Sequence, residues 1–366
     1  MTRPLANYCV VEAPAPRAST MHRLALALAG KIASDLGADV VKIVPPDGDP
    51  LHQVPVLPWE NGIAPEAIRD FLDSTKTLVP LDADTQTGDR EVERLAKVAD
   101  VILTDDYALV PPGQPDAASQ QVICLLTSFP KDNPLNDVPV SEITMLALSG
   151  LLDIVGEPTR EPVMLGGHQA AYAAGLSIFS AMMTGIAALE SHGVGDILDI
   201  DILDALIWVN WKGVSGSRMS PGTETTREGA SSEWRVLRAK DGYIALVYNQ
   251  RNWKAVTDLI GDPMLSNPDL ATRSGRAARR SDYMPVIERW CARRTRDEIY
   301  HAAQSLRIPV GSVVEPVELR SDPQIAARGT IAETAGVGAT PCRMPVLPMI
   351  WNGRIFPPVS KAGPLS

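Results

Sequence analysis

The stretch YCVVEAPAPRASTMHRLALALAGKIASDLGADVVKIV, residues 8–44, decides the fold. Residues 8–12 are a short apolar run of strand-forming type. From Thr20 to Leu36 the apolar residues Met21, Leu24, Leu28, Ile32 and Leu36 recur every three or four positions, the spacing of one helix face, and Gly37 supplies the stop. Residues 39–44, DVVKIV, read as a second strand. Strand, helix and strand in so short a stretch form a βαβ unit, and the crossover makes the two strands parallel.

Working outward, the alternation continues. TLVPLD (77–82) is a strand, DREVERLAKVA (89–99) a helix, and VILT (101–104) and QVICLLT (121–127) are further strands. This part is doubly wound α/β. The first turn, APAPRAST, holds no GxGxxG fingerprint, which disfavours a dinucleotide site. Beyond Val140 the pattern is helical, with a long helix over Gln169–Ser191 closed by Gly193. A strand over Ile197–Asp201 and a Trp-bearing helix over Leu203–Lys212 follow. Gly213–Gly229 is rich in Ser, Thr, Gly and Pro and reads as a linker. After it come a strand (241–248), a helix (Asn252–Leu259) and a helix over Arg296–Leu306 opened by a Thr295/Glu298 capping box. The proline-rich stretch from Thr340 onward is expected to wrap over a neighbour rather than build a core.

Composition narrows the functional classes. With 34 basic against 44 acidic residues the net charge is −10, so nucleic acid is an unfavoured partner. Gly175, Ser177, Ser180, Thr184 and Gly185 interrupt the longest apolar helix, as in a packed helix rather than a membrane span. The N-terminus has no basic start followed by an apolar run, so the chain reads as soluble and cytoplasmic. Cys9, Cys124, Cys291 and Cys342 are scattered, without metal-type spacing, and read as reduced thiols.

Several stretches, in order, resemble the family III CoA-transferases of the CaiB/BaiF type. They are LALAGKIASDLGADVVKIVPPDGDP (26–50), SGLLDIVGEP (149–158), GDILDIDILDAL (195–206), YIALVYNQRNW (243–253), WCARRTRDEIYHAAQSLRIPVGSV (290–313) and SDPQIAARG (321–329). The resemblance implies an α/β fold with a Rossmann-like large domain, a smaller α+β domain and an interlocked dimer. The large domain is expected over 1–212 with 320–366, a linker over 213–230 and the small domain over 231–319. It also implies acyl transfer between CoA thioesters through an aspartate that forms a mixed anhydride.

The chain departs from that pattern where the chemistry sits. The family's aspartate precedes the long helix, four residues before a glycine. In GGHQAAYAAG (166–175) the matching position is Ala171, leaving His168, Gln169 and Tyr172 as the candidate catalytic groups. The family's basic CoA contacts are also reduced. No basic residue follows GDP in GDPLHQ, the loop that resembles ENFRPG reads TDDYALV (104–110), and the FGxxGP turn reads FPKDNP (129–134). Lys42 and Lys76 are retained as candidate cofactor-binding cations. No metal and no tightly bound cofactor is expected, with a CoA thioester as a possible substrate. The partners expected are a small-molecule substrate and a second subunit, in a homodimer or a heterodimer with a homologue. The reading is a family III-like protein repurposed for a non-transferase reaction (dehydration, isomerisation or cyclisation) on an acyl or acid substrate. The alternatives are a non-catalytic subunit of a heteromeric CoA-transferase, or an acyl-CoA transferase using another residue.

Overall fold

The computed structural model describes residues 2–53, 66–111, 120–130, 133–135, 138–156, 160–219, 234–336 and 341–359. It divides into two compact units, Met1–Gly156 with Pro162–Thr223 and Gln324–Ser366, and Glu157–Glu161 with Glu224–Pro323.

The first unit opens with β1 (Cys9–Ala13), α1 (Thr20–Asp35), β2 (Asp39–Val44), α2 (Glu66–Asp73), β3 (Thr77–Pro80), α3 (Gln86–Lys97), β4 (Val101–Thr104) and β5 (Val122–Thr127). It continues through α4 (Glu142–Leu148), α5 (Gln169–His192), β6 (Ile197–Asp201), α6 (Ile202–Val209) and α7 (Trp211–Met219). The six strands form one parallel sheet in the order β3-β2-β1-β4-β5-β6. Alternate residues face opposite layers. Val10, Val40, Val101 and Val122 pack with α1 and α5, while Val11, Ile43, Ile102 and Ile123 pack with Val92 and Ala96 of α3. Both faces are covered, which is why these strands read as near-continuous apolar runs. The α1 and α5 backbones approach closely at Gly175, where an added Cβ would lie 2.8 Å from the Ala25 carbonyl oxygen.

The helix ends follow from capping. Ser19 accepts the His22 N–H at the start of α1, and Gly37 takes a positive φ of 107° just beyond it. The helix expected over 89–99 starts earlier, at Gln86, because Thr85 caps it by accepting the Gly88 N–H. By length and apolar composition α5 matches a bilayer span. However, Ala170, Ala174, Ile178, Met182 and Ile186 are buried in the core of this unit.

Three expectations are corrected. The linker expected from Gly213 is helical to Met219, and the single Trp-bearing helix is two helices meeting at Asn210, whose side chain donates to the Ser149 carbonyl at 3.0 Å. Gly and Ser each cost a helix about 1 kcal/mol or less, and the stronger breaker, Pro221, comes only later. The rest of the expected linker, 220–230, lies outside the described residues. The proline-rich tail also packs on its own chain, burying Leu347 and Phe356 in the first unit's core. Arg3 stacks over Phe356 at 5.4 Å and donates to the Pro357 carbonyl at 2.7 Å.

The second unit contains β7 (Arg235–Ala239), β8 (Gly242–Leu246), α8 (Trp253–Ile260), α9 (Arg273–Ala278), α10 (Arg280–Ala292), α11 (Arg296–Ser305) and β9 (Val310–Val313). Its sheet is antiparallel, β7-β8-β9. The hairpin partner β7 was not marked by the sequence pattern. Leu237, Ile244, Trp253, Ile287 and Ile299 form its core, and the Thr295/Glu298 capping box is realised at α11. The chain closes with α12 (Pro323–Arg328) and the antiparallel ribbon β10 (Ile331–Ala335) and β11 (Pro341–Pro345).

Candidate functional site

The chain enters α5 through two exposed glycines and a strained histidine. Gly167 has φ 82°, and His168, the N-cap, sits in the left-handed region at φ 60°, ψ 43°. An L-residue there costs about 1–2 kcal/mol, and loops that keep such strain do so where the geometry is used. The His168 imidazole is half-buried and makes no hydrogen bond among the described residues. Gln169 is exposed and turned back, with its Nε2 donating to the Gly166 carbonyl at 3.0 Å. Ala171 is fully buried, while Tyr172, one turn beyond His168, is half-buried.

A carboxylate that the sequence reading missed completes this end of α5. Glu142, the first residue of α4 after its N-cap Ser141, accepts the backbone N–H of Ala170 through Oε1 and also interacts with the Ala171 N–H. Its Oε2 is buried with no hydrogen-bond partner among the described residues. Burial pushes the Glu142 carboxyl above the usual range, against the opposing pull of the Ala170 N–H, His168 and the Ala171 N–H. Burial, and then Glu142, likewise push the Tyr172 hydroxyl up. The site therefore joins a carboxyl with heightened proton affinity, a phenol and an imidazole at a helix N-terminus. Those groups suit proton transfer.

Lys42 and Lys76, expected as cofactor-binding cations, stand elsewhere, within a cluster of buried carboxylates. Both are fully buried. Lys42 on β2 faces Glu12, its register partner on β1, at 3.4 Å, and lies 2.7 Å from Asp49 and 2.9 Å from Asp73. Lys76 lies 2.6 Å from Glu12 and 3.0 Å from Asp73, and donates to the Ala27 carbonyl at 2.9 Å. Burial alone would lower the Lys42 pKa, but Asp73, Glu12 and Asp49 hold it above the ordinary lysine value. Burial opposes ionisation of Asp73 and Asp49 as well, and the lysines overcome it and keep both below the usual range. Gly30 of α1 permits this cluster, since a Cβ there would collide with the Glu12 carboxylate. Asp49, His52 and Asp73 bring their potential metal-ligating atoms within 4.8 Å of one another, but the Lys42 ammonium already stands against both carboxylates.

Each unit also holds a cavity among the described residues. One of about 390 Å³ lies at the carboxyl ends of β1 and β2, lined by Pro14, Pro16, Arg23, Asp47, Asp82 and Asp84. Its one cation, Arg23, is buried and donates to the carbonyls of Ala15, Pro16 and Ala18, so the exposed lining charge is acidic. That is a poor seat for phosphates. In the second unit, a cavity of about 730 Å³ is lined by Arg289, Trp290, Arg293 and Arg294. Arg296 is not part of it and pairs with Glu318 at 2.6 Å.

The comparisons with known proteins agree with this architecture. The chain is 24% identical over 321 residues to the succinate–glutarate CoA-transferase of Agrobacterium fabrum, covering 82% of this chain and 79% of that one. It is 25% identical over 333 residues to the succinyl-CoA:(R)-benzylsuccinate CoA-transferase subunit BbsE of Thauera aromatica, covering 81% and 78%. The fold matches a CAIB/BAIF family protein from Brucella suis with a TM-score of 0.83 at 23% identity, over 99% of this chain and 96% of the other. The family model described as CoA-transferase family III matches residues 19–365, and the chain belongs to that family.

Proposed function

We propose that this family III protein acts on an acyl or acid substrate by proton transfer rather than by acyl-anhydride chemistry, in a dehydration, isomerisation or cyclisation. The observation that carries the reading is Glu142, held against the first turn of α5 beside Ala171, with its other carboxylate oxygen unpartnered among the described residues and its pKa raised by burial. Resemblance matches position 171 to the family's nucleophile, and alanine cannot form an anhydride. A nucleophilic carboxylate works ionised, whereas a group pushed upward is better suited to exchanging a proton near neutrality. Glu142 is thus the acid–base group, Tyr172 a donor beside it, and His168 a second base at the mouth of the helix.

The experiment uses the purified chain with acetyl-CoA and succinyl-CoA in D2O. Exchange of acyl α-protons, followed by NMR, is expected for an accepted substrate and is lost in Glu142→Gln. Acyl transfer from either thioester to a free carboxylic acid, by this chain alone, would overturn the reading.

A second reading is favoured by one relative being named as a subunit of its transferase. On that reading the chain is a non-catalytic partner of a homologue. It predicts CoA binding without exchange, and transferase activity only after the homologue is added. On either reading a dimer is proposed, supported by the exposed Trp208, Val209 and Trp211 on α6 and α7. Light scattering at twice the chain mass tests it.

A further inference from the structure

At the carboxyl edge of the large sheet, three side chains from separate segments join in one hydrogen-bonded line. His22 lies in the first turn of α1, Asp105 follows β4 directly, and Ser128 follows β5 directly. The His22 Nδ1 is 2.9 Å from Asp105 Oδ2, and the His22 Nε2 is 2.9 Å from Ser128 Oγ. Asp105 is held in turn by the Ala15 N–H, which donates to its other oxygen at 2.7 Å. The His22 backbone is pinned by Ser19.

The polarity of this line follows from donor chemistry. An ionised Asp105 only accepts, so Nδ1 of a neutral His22 carries the proton and Nε2 holds the lone pair. Nε2 then accepts the Ser128 hydroxyl proton. That is the arrangement of an activated serine: a nucleophile bonded to a base, and the base oriented by a buried carboxylate. The Asp105 side chain is 4% exposed and that of His22 14%, while Ser128 is half-buried. The carboxylate is thus withdrawn, and Ser128 is partly exposed.

The location also suits a site. In the order β3-β2-β1-β4-β5-β6 the chain winds outward in both directions from β1 and β4, and such a switch point opens a crevice at the carboxyl ends of the strands. Pro14 and Pro16, on either side of the Ala15 that holds Asp105, line the 390 Å³ cavity.

We propose that Ser128, His22 and Asp105 form a second, hydrolytic site that cleaves an activated acyl ester or thioester. Ser128 Oγ forms a bond to the acyl carbonyl carbon while its proton passes to His22 Nε2. The C–O or C–S bond to the leaving group then breaks, and the leaving alkoxide or thiolate takes that proton. Water attacks the acyl-serine with the same base accepting its proton, the Oγ–C bond breaks, and the serine recovers its proton as the acid departs. Ser128 and His22 are the catalytic residues, and Asp105 is a positioning residue acting through His22.

The test begins with the unaltered chain and a fluorophosphonate probe, read by peptide mass spectrometry. Ser128 is expected to be phosphonylated, and the label is expected to vanish in His22→Gln. Hydrolysis of p-nitrophenyl acetate and of acetyl-CoA distinguishes an oxyester from a thioester source, and Ser128→Ala should lower whichever rate is found by about 10²–10⁴-fold. Asp105→Asn disturbs the orientation and tautomer of His22, so it should lower kcat with KM little changed, a split that a purely structural tie would not cause. An unlabelled Ser128 in a chain shown to be folded by its melting transition overturns the proposal. Turnover of neither ester nor thioester overturns it equally, with no variant required.

Discussion

The Glu142 carboxylate accepts the backbone N–H of Ala170 across 28 residues of sequence, so the first turn of α4 caps the first turn of α5. A negative group at a helix N-terminus is stabilised by the exposed N–H groups and the helix dipole. One bond thereby ties the start of α5, next to His168, to α4, while Oε2 stays buried without a hydrogen-bond partner among the described residues. Glu142→Gln preserves the accepting oxygen and removes the titrating proton. It is expected to fold with stability within about 1 kcal/mol of the parent and to lose exchange activity by about 10²–10⁴-fold. Glu142→Ala should lose both, with a stability cost of about 1–3 kcal/mol. Chemical denaturation and α-proton exchange on the same preparations separate the two effects.

The buried cluster around Lys42 makes a different forecast. Removing one ion from a fully buried pair leaves its partners uncompensated, at a cost of about 3–5 kcal/mol. Lys42→Met should lose stability of that order at pH 7, since Asp49 and Asp73 remain buried with less positive charge beside them. In the parent, both carboxyls sit below their unfolded values, so the stability they contribute is complete above about pH 4 and is lost as pH falls through the folded values. The methionine variant has lost the cation that lowered them. Its deficit relative to the parent should therefore shrink as pH drops from 7 toward 4, as urea midpoints across that range would show.

These two clusters mark where the sequence was legible and where it was not. Period and capping are local, so Met21, Leu24 and Ile32 with Ser19 and Gly37 announced α1, and the alternation of elements announced a parallel sheet. The partners of a buried charge are not local. Lys42 meets Asp73 only after β2, an intervening segment and α2 have been laid down, and the charge alone resembled a ligand contact. Glu142 failed to stand out for the same reason: a glutamate in a first helical turn is ordinary, and its partners follow 28 residues later. The Ser128–His22–Asp105 line spans three separate βα or β-loop junctions, so no spacing rule could collect it. The linker reading failed otherwise, because Gly and Ser weaken a helix without ending it.

Asp201 offers a pH test with the opposite sign. It caps α6 by accepting the Asp204 N–H at 2.7 Å. Burial first, and the neighbouring Asp204 with it, push its pKa up to about 6. The unfolded chain ionises this group at a lower pH than the folded one, so the parent loses stability as pH rises through that interval and keeps the loss above it. Asparagine caps a helix about as well as aspartate and does not titrate. Asp201→Asn should therefore melt higher than the parent at pH 7, with the difference closing as pH falls below about 4. A difference independent of pH would show that the substitution acts through packing.

His168 can be tested through its backbone. Glycine relieves the left-handed strain, worth about 1–2 kcal/mol, but adds freedom to the unfolded chain, worth about 0.5–1 kcal/mol. His168→Gly should therefore fold with stability near or slightly above the parent's. If the imidazole takes part in proton transfer, exchange activity falls in His168→Gly and His168→Ala alike. Full exchange in a folded His168→Gly chain would leave the residue with a purely local role.

The sharpest test of the proposal that position 171 has lost the family's nucleophile is to put one back. Ala171 is the third residue of α5 and fully buried, beside the N–H groups that already hold Glu142. The helix N-terminus favours a negative charge there, but two neighbouring carboxyls disfavour joint ionisation, and one of them will stay protonated near neutrality. Ala171→Asp alone should therefore be a weak nucleophile, and Ala171→Asp combined with Glu142→Gln a better one, since the neutral amide removes the repulsion. Incubation with succinyl-CoA followed by hydroxylamine should derivatise the introduced carboxylate in the double variant more than in the single one, and leave Ala171→Asn unmodified. Modification of the unaltered chain within residues 160–180 would mean that a different group in this segment already forms the acyl intermediate. If the double variant folds and binds CoA but forms no adduct, the proposed absence of transferase chemistry does not rest on position 171, and the acidic lining at Asp47, Asp82 and Asp84 becomes the feature to reverse.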